Sequence, residues 1–373
     1  MPGAVLQLTA YGAQDIYLTG NPQITFFKVV YRRYTNFAIE SVQLAQNYNV
    51  KMGSSFIFNI ERQGDLLSSI FLHIQLTNTS LVKSYLGFTL IDMVEFKIGN
   101  QVIDKQYGEW MAIWCDLTHS YNKGQMLDDM ISSSADTIIV PLQFWFCRNP
   151  GLAIPLIALQ YHEIQLCIKF RKSSEIEGSP EISDLKIYAD YIYLDTDERR
   201  RYVQSSHEYL IEQVQRTESS VVDPTATKTS IDLEFAHPVK ELVWIIYDIS
   251  GPIYNHMNCE LAQSVLIQLN HQDRISERSG LYYTRQQRYQ FHTGAGAFSA
   301  YPHIHIYSFA LRPEEHQPSG TCNFSRIDDA IIQMNLNNAT QISGTEYRVI
   351  HVYAVNYNIL RIMNGLGGLA YTT

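Results

Sequence analysis

Short runs in which apolar and polar side chains alternate recur along the whole of this 373-residue chain, and they restrict the fold more than any other feature. Phe56, Phe58 and Ile60 share one face of such a run. Val94, Phe96 and Ile98 oppose Met93, Glu95 and Lys97, while Ile164, Leu166, Ile168 and Phe170 oppose Glu163, Gln165, Cys167 and Lys169. Later, Ile231, Leu233 and Phe235 oppose Asp232 and Glu234, and Tyr353, Val355, Tyr357 and Ile359 oppose Ala354, Asn356 and Asn358. Successive side chains of an extended chain point to opposite faces, so each run predicts a half-buried strand. The run Leu242–Tyr247 is apolar on both faces, as expected where two sheets or two barrels meet. Helical spacing is scarce. Trp110, Ile113, Trp114 and Leu117, after Gly108-Glu109, predict one short helix between strands. The polar run Asp195–Arg201 predicts another. Short strands with turns between them indicate an all-β, antiparallel sandwich or barrel with a few short helices in connecting loops, not a βαβ fold.

The length exceeds what one hydrophobic core serves, which predicts two domains. We place an N-terminal arm at 1–23, a first barrel at 24–205 and a second at 206–373, with the boundary punctuated by the polar stretch Ser205–Glu218. Thr19-Gly20-Asn21-Pro22 reads as a turn, since Gly and Asn tolerate positive φ and Pro stops a preceding helix. It would redirect the arm into a first strand over Ile24–Tyr34. A faint internal echo, Phe144–Pro150 against Tyr307–Pro313, fits a duplication.

Charge and motif content exclude several functions. The net charge is −9, and the one dense basic run, Arg199-Arg200-Arg201, follows Asp195, Asp197 and Glu198. Direct nucleic-acid binding through phosphate neutralisation is therefore not expected. Five dispersed cysteines (Cys115, Cys147, Cys167, Cys259, Cys322) read as reduced thiols rather than a disulfide framework or a zinc site. The N-terminus shows no secretory or myristoylation pattern, and no window reaches the roughly 18 apolar residues of a membrane span. His303-Ile304-His305 lacks a downstream third ligand, so both histidines are assigned to a wetter strand face. Asp128-Asp129 and Asp328-Asp329 are adjacent pairs that diverge in an extended chain, and are assigned to solvated turns. No nucleophile elbow, P-loop or dinucleotide fingerprint occurs. No catalytic, metal or cofactor site is expected. Sequons at Asn78, Asn323 and Asn338 mark possible glycosylation, with little expected of them in a chain made in the cytosol.

Four stretches are then recognisable together. They are the opening Leu8-Thr9-Ala10-Tyr11-Gly12-Ala13-Gln14-Asp15-Ile16-Tyr17-Leu18-Thr19-Gly20-Asn21-Pro22 through Lys28, Phe144–Glu163 with Arg148-Asn149-Pro150-Gly151, Ser319–Asp328, and the ending Asn356–Tyr371 with Gly365-Leu366-Gly367-Gly368. In this order they closely resemble the major capsid proteins of nucleocytoplasmic large DNA viruses, from residue 8 to residue 371. The resemblance implies two tandem jelly rolls, a homotrimer of pseudo-hexagonal outline, and an icosahedral shell over an inner membrane. The partners implied are further copies, neighbouring capsomers and minor capsid proteins on the inner face, without membrane insertion; the place is the virion, assembled in the host cytoplasm. The chain departs from the family in being compact, with less in the outer loops. Candidate assembly or structural residues are Gly12, Asp15, Gly20, Asn21 and Pro22 in the arm. Arg148, Asn149 and Pro150 follow at a strand exit, where Arg148 would pair with a carboxylate or carbonyls. Gly365, Gly367 and Gly368 end the chain, freeing the backbone for close packing at a subunit contact. The rival readings are a minor capsid or scaffolding paralogue, a glycan-binding attachment module, and a metal-dependent cupin-like enzyme.

Overall fold

The computed structural model describes residues 3–44, 50–77, 85–132, 137–176, 178–218, 220–223, 226–248, 260–294, 303–336 and 348–372. The chain divides into two compact units, Met1–Asn36 and Phe37–Thr373. The small unit holds helices α1 (Gly3–Thr9) and α2 (Ile16–Thr19). The Asp15 carboxylate accepts the Gly12 N–H at 2.7 Å, and Asn21 sits at φ 50°, turning the chain after Gly20. No strand follows over Ile24–Tyr34, where the turn at Thr19–Pro22 was expected to lead into one; the first strand opens at Phe37. A strand needs a ladder partner, and no described strand pairs with that segment.

The large unit contains two sandwiches. The first uses β1 (Phe37–Gln43), β2 (Ser55–Ile60), β3 (Leu66–Thr77), β4 (Ile91–Ile98), β5 (Gln101–Tyr107), β6 (Thr137–Pro141), β7 (Ile164–Phe170) and β8 (Glu181–Leu194). The second uses β9 (His207–Arg216), β10 (Lys228–Asp232), β11 (Pro238–Asp248), β12 (Ser264–Leu269), β13 (Gln272–Ser279), β14 (His305–Ser308), β15 (Ala330–Asn335) and β16 (Arg348–Met363). The first sandwich pairs them in the orders β1-β8-β3-β6 and β2-β7-β4-β5, the second in the orders β9-β16-β11-β14 and β10-β15-β12-β13. Adding eight to each label of the first pair of sheets gives the second pair. In each, the first strand lies beside the last and the strands described pair antiparallel, which is the jelly-roll arrangement. The faint sequence echo therefore marks a duplicated fold, although its two copies differ locally: Trp145–Arg148 is helical, whereas His305–Ser308 is a strand.

Helices occupy the connections. α3 (Leu86–Leu90) precedes β4, α4 (Gly108–Thr118) and α5 (Tyr121–Ile131) lie between β5 and β6, α6 (Trp145–Arg148) follows β6, and α7 (Thr196–Gln204) joins the sandwiches behind an Asp195 cap. α8 (Gln287–Phe291), entered through a π-helical turn at Tyr282–Gln286, lies between β13 and β14, at the place in the second sandwich that α4 and α5 hold in the first. The expected helix around Trp110 is α4. α5 lacks a wide apolar stripe, burying only Gly124, Leu127 and Ile131, and had no legible signal.

Burial follows the alternation in β4 and β7, where Val94, Phe96, Ile98, Ile164, Leu166, Ile168 and Phe170 all point inward. β16 departs from it. Ala354, Asn356 and Asn358 are as buried as Tyr353 and Val355. The reason is position: β11 and β16 are central strands covered on both faces. Leu242, Trp244, Ile246, Ile350 and Val352 fill the second sandwich, while Val243, Ile245, Tyr247, Tyr353 and Val355 join the core of the first. The two asparagines are tolerated because their amides are bonded, Asn356 to Gln215 at 2.9 Å and Asn358 to Gln213 at 3.0 Å.

α4 is seated through a glycine. A Cβ at Gly108 would stand 2.1 Å from the Phe88 carbonyl oxygen and 2.2 Å from that of Ile91. Both are backbone atoms, which cannot swing aside as a side-chain end could. Gly108→Ala is expected to destabilise the fold by about 3 kcal/mol, the upper end of ordinary overpacking, measured as a lowered urea midpoint. An unchanged midpoint would show that α4 can shift freely.

Candidate assembly surfaces and the seam between the barrels

The outer face of the β9-β16-β11-β14 sheet packs against α4 and its neighbours, and polar groups are built into this contact. Glu109, in the first turn of α4, is buried and accepts from Tyr353 Oη at 2.6 Å, with His351 Nδ1 also 2.6 Å from the same oxygen. Trp110 lies against the Tyr353 ring at 5.1 Å between centroids. One turn along, Arg148 donates to Glu212 at 3.2 Å and to the Gln143 carbonyl at 3.0 Å, with its guanidinium 4.2 Å from the Trp114 ring centre. Lys240, 0% exposed, donates to the other Glu212 oxygen at 2.7 Å. Arg288 closes a third link, to the Asp116 carboxylate at 3.1 Å and its carbonyl at 2.9 Å.

Asp104 and His292 are among the titratable groups shifted in this region. Asp104 on β5 accepts the Val214 N–H of β9 at 3.1 Å and the Gln106 amide at 2.8 Å. Burial outweighs these bonds and pushes its carboxyl up to about 6. His292, after α8, has Nε2 3.0 Å from Glu241 and Nδ1 3.1 Å from Glu314. Burial opposes its charge, yet the two carboxylates prevail and push it up to about 9.

The chain's end straps the second barrel onto the first. Leu366–Leu369 pairs with Leu360–Met363 of β16. The Tyr161 N–H donates to the Gly365 carbonyl at 3.0 Å, and the Leu369 N–H to Gln101 at 3.1 Å. Gly365 has φ 81°, and a Cβ there would stand 2.5 Å from the Tyr161 ring; one on Gly367 would meet Leu159 at 2.6 Å, and one on Gly368 would meet Gln101 at 2.9 Å. These glycines pack closely against the first barrel of the same chain.

Arg148-Asn149-Pro150 is a helix exit and not a strand exit, because β6 already ends at Pro141 and Phe144–Phe146 fold into a buried aromatic cluster. The Asn149 side chain accepts the Gly151 N–H at 2.9 Å, opening a short 3-10 turn at Pro150. In the arm, Gly20 caps α2, where a Cβ would strike the Ile16 carbonyl, and Pro22 is exposed. Around them stands a row of bare apolar side chains, among them Tyr17, Leu18, Phe26, Val29 and Phe27, the last 97% exposed. The Met1–Asn36 unit carries Lys28, Arg32 and Arg33 against one acid, Asp15, in a chain of net charge −9.

His305 corrects the reading of the histidine pair. It is fully buried, stacked on Trp244 at 5.4 Å, and accepts the Ala262 N–H at 3.2 Å; burial pulls it down to about 3. The wetter face was inferred from alternation, but β14 is covered on both sides. Among the described residues, no group of three or more His, Cys, Asp and Glu side chains could hold a metal. Asn323 is exposed, but its side chain accepts the Ser325 N–H at 3.1 Å; Asn78 and Asn338 lie outside the described residues. Sequence reasoning missed Glu109, Asp104, Glu212, Lys240, His292 and His351. Their one signal is a charge at the edge of an apolar run, as Lys240-Glu241 stands before Leu242–Tyr247.

Two jelly rolls joined by a fixed seam, with bare apolar side chains in an N-terminal arm, define a structural shell protein of the double jelly-roll class. The comparisons agree. Residues 25–195 match the major capsid protein N-terminus and 198–368 the large eukaryotic DNA virus major capsid protein, so the chain belongs to that family. It is 42% identical to the major capsid protein of Pyramimonas orientalis virus and 40% identical to that of Paramecium bursaria Chlorella virus 1, each over the full length of both chains. Among solved structures, a chain of the PBCV-1 capsid superposes with a TM-score of 0.79 at 34% identity, over 94% of this chain and 100% of that one. The Faustovirus major capsid protein, at 12% identity, shares the fold with a TM-score of 0.72 over 96% of each chain. The alignments run to 409 and 440 positions against 373 residues, so these relatives carry insertions and this chain is compact among them.

Lys240→Ala would leave Glu212 without its fully buried partner and is expected to cost about 3–5 kcal/mol, read from chemical denaturation. The titrations carry opposite labels but the same sign. The Asp104 carboxyl and the His292 imidazole both have folded values above their unfolded ones, so both stabilise in full at low pH and lose that contribution as pH rises. For Asp104 the loss falls between about 4 and 6, and for His292 between about 6.5 and 9. Asp104→Asn should therefore gain stability relative to the parent as pH rises from 4 to 7, and His292→Gln should flatten the decline between 7 and 9. Parallel curves for parent and variant across either window would refute the assignment.

Proposed function

We propose that this chain assembles as a homotrimeric capsomer of pseudo-hexagonal outline and that such capsomers tile the icosahedral shell of a large DNA virus. The observation that carries this is the duplication: two sandwiches with the same strand order, held at one fixed angle by a buried seam. Three copies place six like barrels around an axis, giving a near-hexagonal tile from a three-fold object. Cyclic closure makes the trimer contact heterologous, one flank of a protomer meeting a different flank of the next. Obligate contacts of this kind bury on the order of 2,000–5,000 Å².

The working division is an arm followed by two barrels, read from sequence as 1–23, 24–205 and 206–373. With the first strand at Phe37, the arm is best extended to Asn36. Its exposed aromatic and aliphatic side chains suit burial on neighbouring copies or on minor capsid proteins at the inner shell face, close to but not within the inner membrane. Assembly in the host cytoplasm accords with the described cysteines, Cys115, Cys147, Cys167 and Cys322, which are dispersed and form no disulfide.

Light scattering on the purified full-length chain is the test. The expected mass is three times 42.9 kDa and stays so on dilution through the micromolar range. A well-folded monomer at those concentrations would sink the proposal.

A further inference from the structure

The seam has a direction. A segment between the fifth and sixth strands of barrel one, α4, covers the outer face of the large sheet of barrel two. The corresponding segment of barrel two is α8 with its π-helical entry, and the corresponding face is the outside of the β1-β8-β3-β6 sheet. That face is open. Ile39 is 58% exposed there, and Phe71, His73, Ile139 and Tyr188 are only half-buried. The His73 and Tyr188 rings lie 4.4 Å apart between centroids, tilted at 45°, so the face carries an aromatic pair. Alongside it runs a groove of about 510 Å³ between Phe71 and Pro141 on the sheet and Met126 and Met130 on α5. α8 in turn projects Tyr289, 89% exposed, with Leu281 at 42% on the turn before it.

We propose that α8 of one copy seats Tyr289 on the outer face of the β1-β8-β3-β6 sheet of the next copy, repeating between chains the contact that α4 makes within one. The physical argument is closure. A ring built from alternating barrels one and two has two kinds of joint, one inside each chain and one between chains. If both joints place the barrels at like angles, like elements meet at both. The within-chain joint sets an aromatic helix, bearing Trp110 and Trp114, on a large sheet. The between-chain joint has an unburied aromatic on the matching helix and an unburied sheet face to receive it. Arg285 on the entry turn and Asp190 on the receiving face supply opposite charges. A buried tyrosine suits such a place, since its ring gives large contact area with few rotatable bonds.

This inference rests on the trimer reading, and the test separates the two. Full-length Tyr289→Cys, Ile139→Cys and the double variant are sized by light scattering, treated with a short bismaleimide, and run on a denaturing gel. The expected result is a trimer in each, with covalent dimers and trimers in the double variant alone. A trimer whose double variant stays uncrosslinked, or a ladder in either single variant through a native cysteine, would overturn this contact and leave the trimer standing. A monomeric parent chain would overturn both. As a second reading, Tyr289→Asp and Ile139→Asp should each raise the concentration at which the trimer dissociates at least tenfold. Their far-ultraviolet spectrum should stay unchanged, because Tyr289 is exposed and Ile139 is only half-buried on an open sheet face. An unaltered dissociation concentration in both would count against the contact.

Discussion

Burial of the second face of the β9-β16-β11-β14 sheet is the constraint on which the large unit depends. A sheet in a sandwich ordinarily faces its partner sheet with one side and water with the other. Here Val243, Ile245, Tyr247, Tyr353 and Val355 turn toward the first barrel, while the intervening residues fill the second. One ladder of strands thus serves two cores. The first barrel's helix α4 can sit on that ladder only because Gly108 lets it approach the carbonyls of Phe88 and Ile91. The C-terminal strap closes the same joint from the other side, where Gly365 and Gly367 lie against Tyr161 and Leu159. Barrel, helix and strap are consequences of one shared sheet.

Much of this was legible in the residues, and the failures have a common cause. Alternation reports which side chains share a face, but it does not say whether water or protein lies on the polar side. In β4 and β7 water does, and Val94 or Leu166 faced inward as read. In β16 and β14 protein covers both faces, the first barrel on one side and their own sandwich on the other, so Asn356, Asn358 and His305 are buried although they interrupt apolar runs. The arm fails in the opposite sense. Ile24–Tyr34 is apolar enough to read as a strand, yet strands are made by partners, and the ladder begins only where Phe37 meets Leu194. Arg148 was legible as a residue seeking a carboxylate, but Glu212 lies 64 positions away and could be named only from the fold. The bare side chains of the arm were not legible at all, since an apolar residue looks the same in sequence whether its cover comes from its own chain or another.

The polar content of the seam bears on why such a joint would be built with charges. An apolar contact alone could slide, because hydrophobic burial is non-directional. Glu109 receiving Tyr353 and His351, Glu212 held between Arg148 and Lys240, and Asp116 with Arg288 each permit one arrangement. Displacing the barrels would strand a buried charge, which costs more than the pair gains over an apolar replacement. In the proposed ring of six barrels an angular error at each joint would accumulate before the last meets the first. A joint that tolerates only one angle removes half of that error before any two copies meet. The remaining joints can then be softer and more exposed, which is how the large sheet of the first barrel and the tip of α8 stand in the isolated chain.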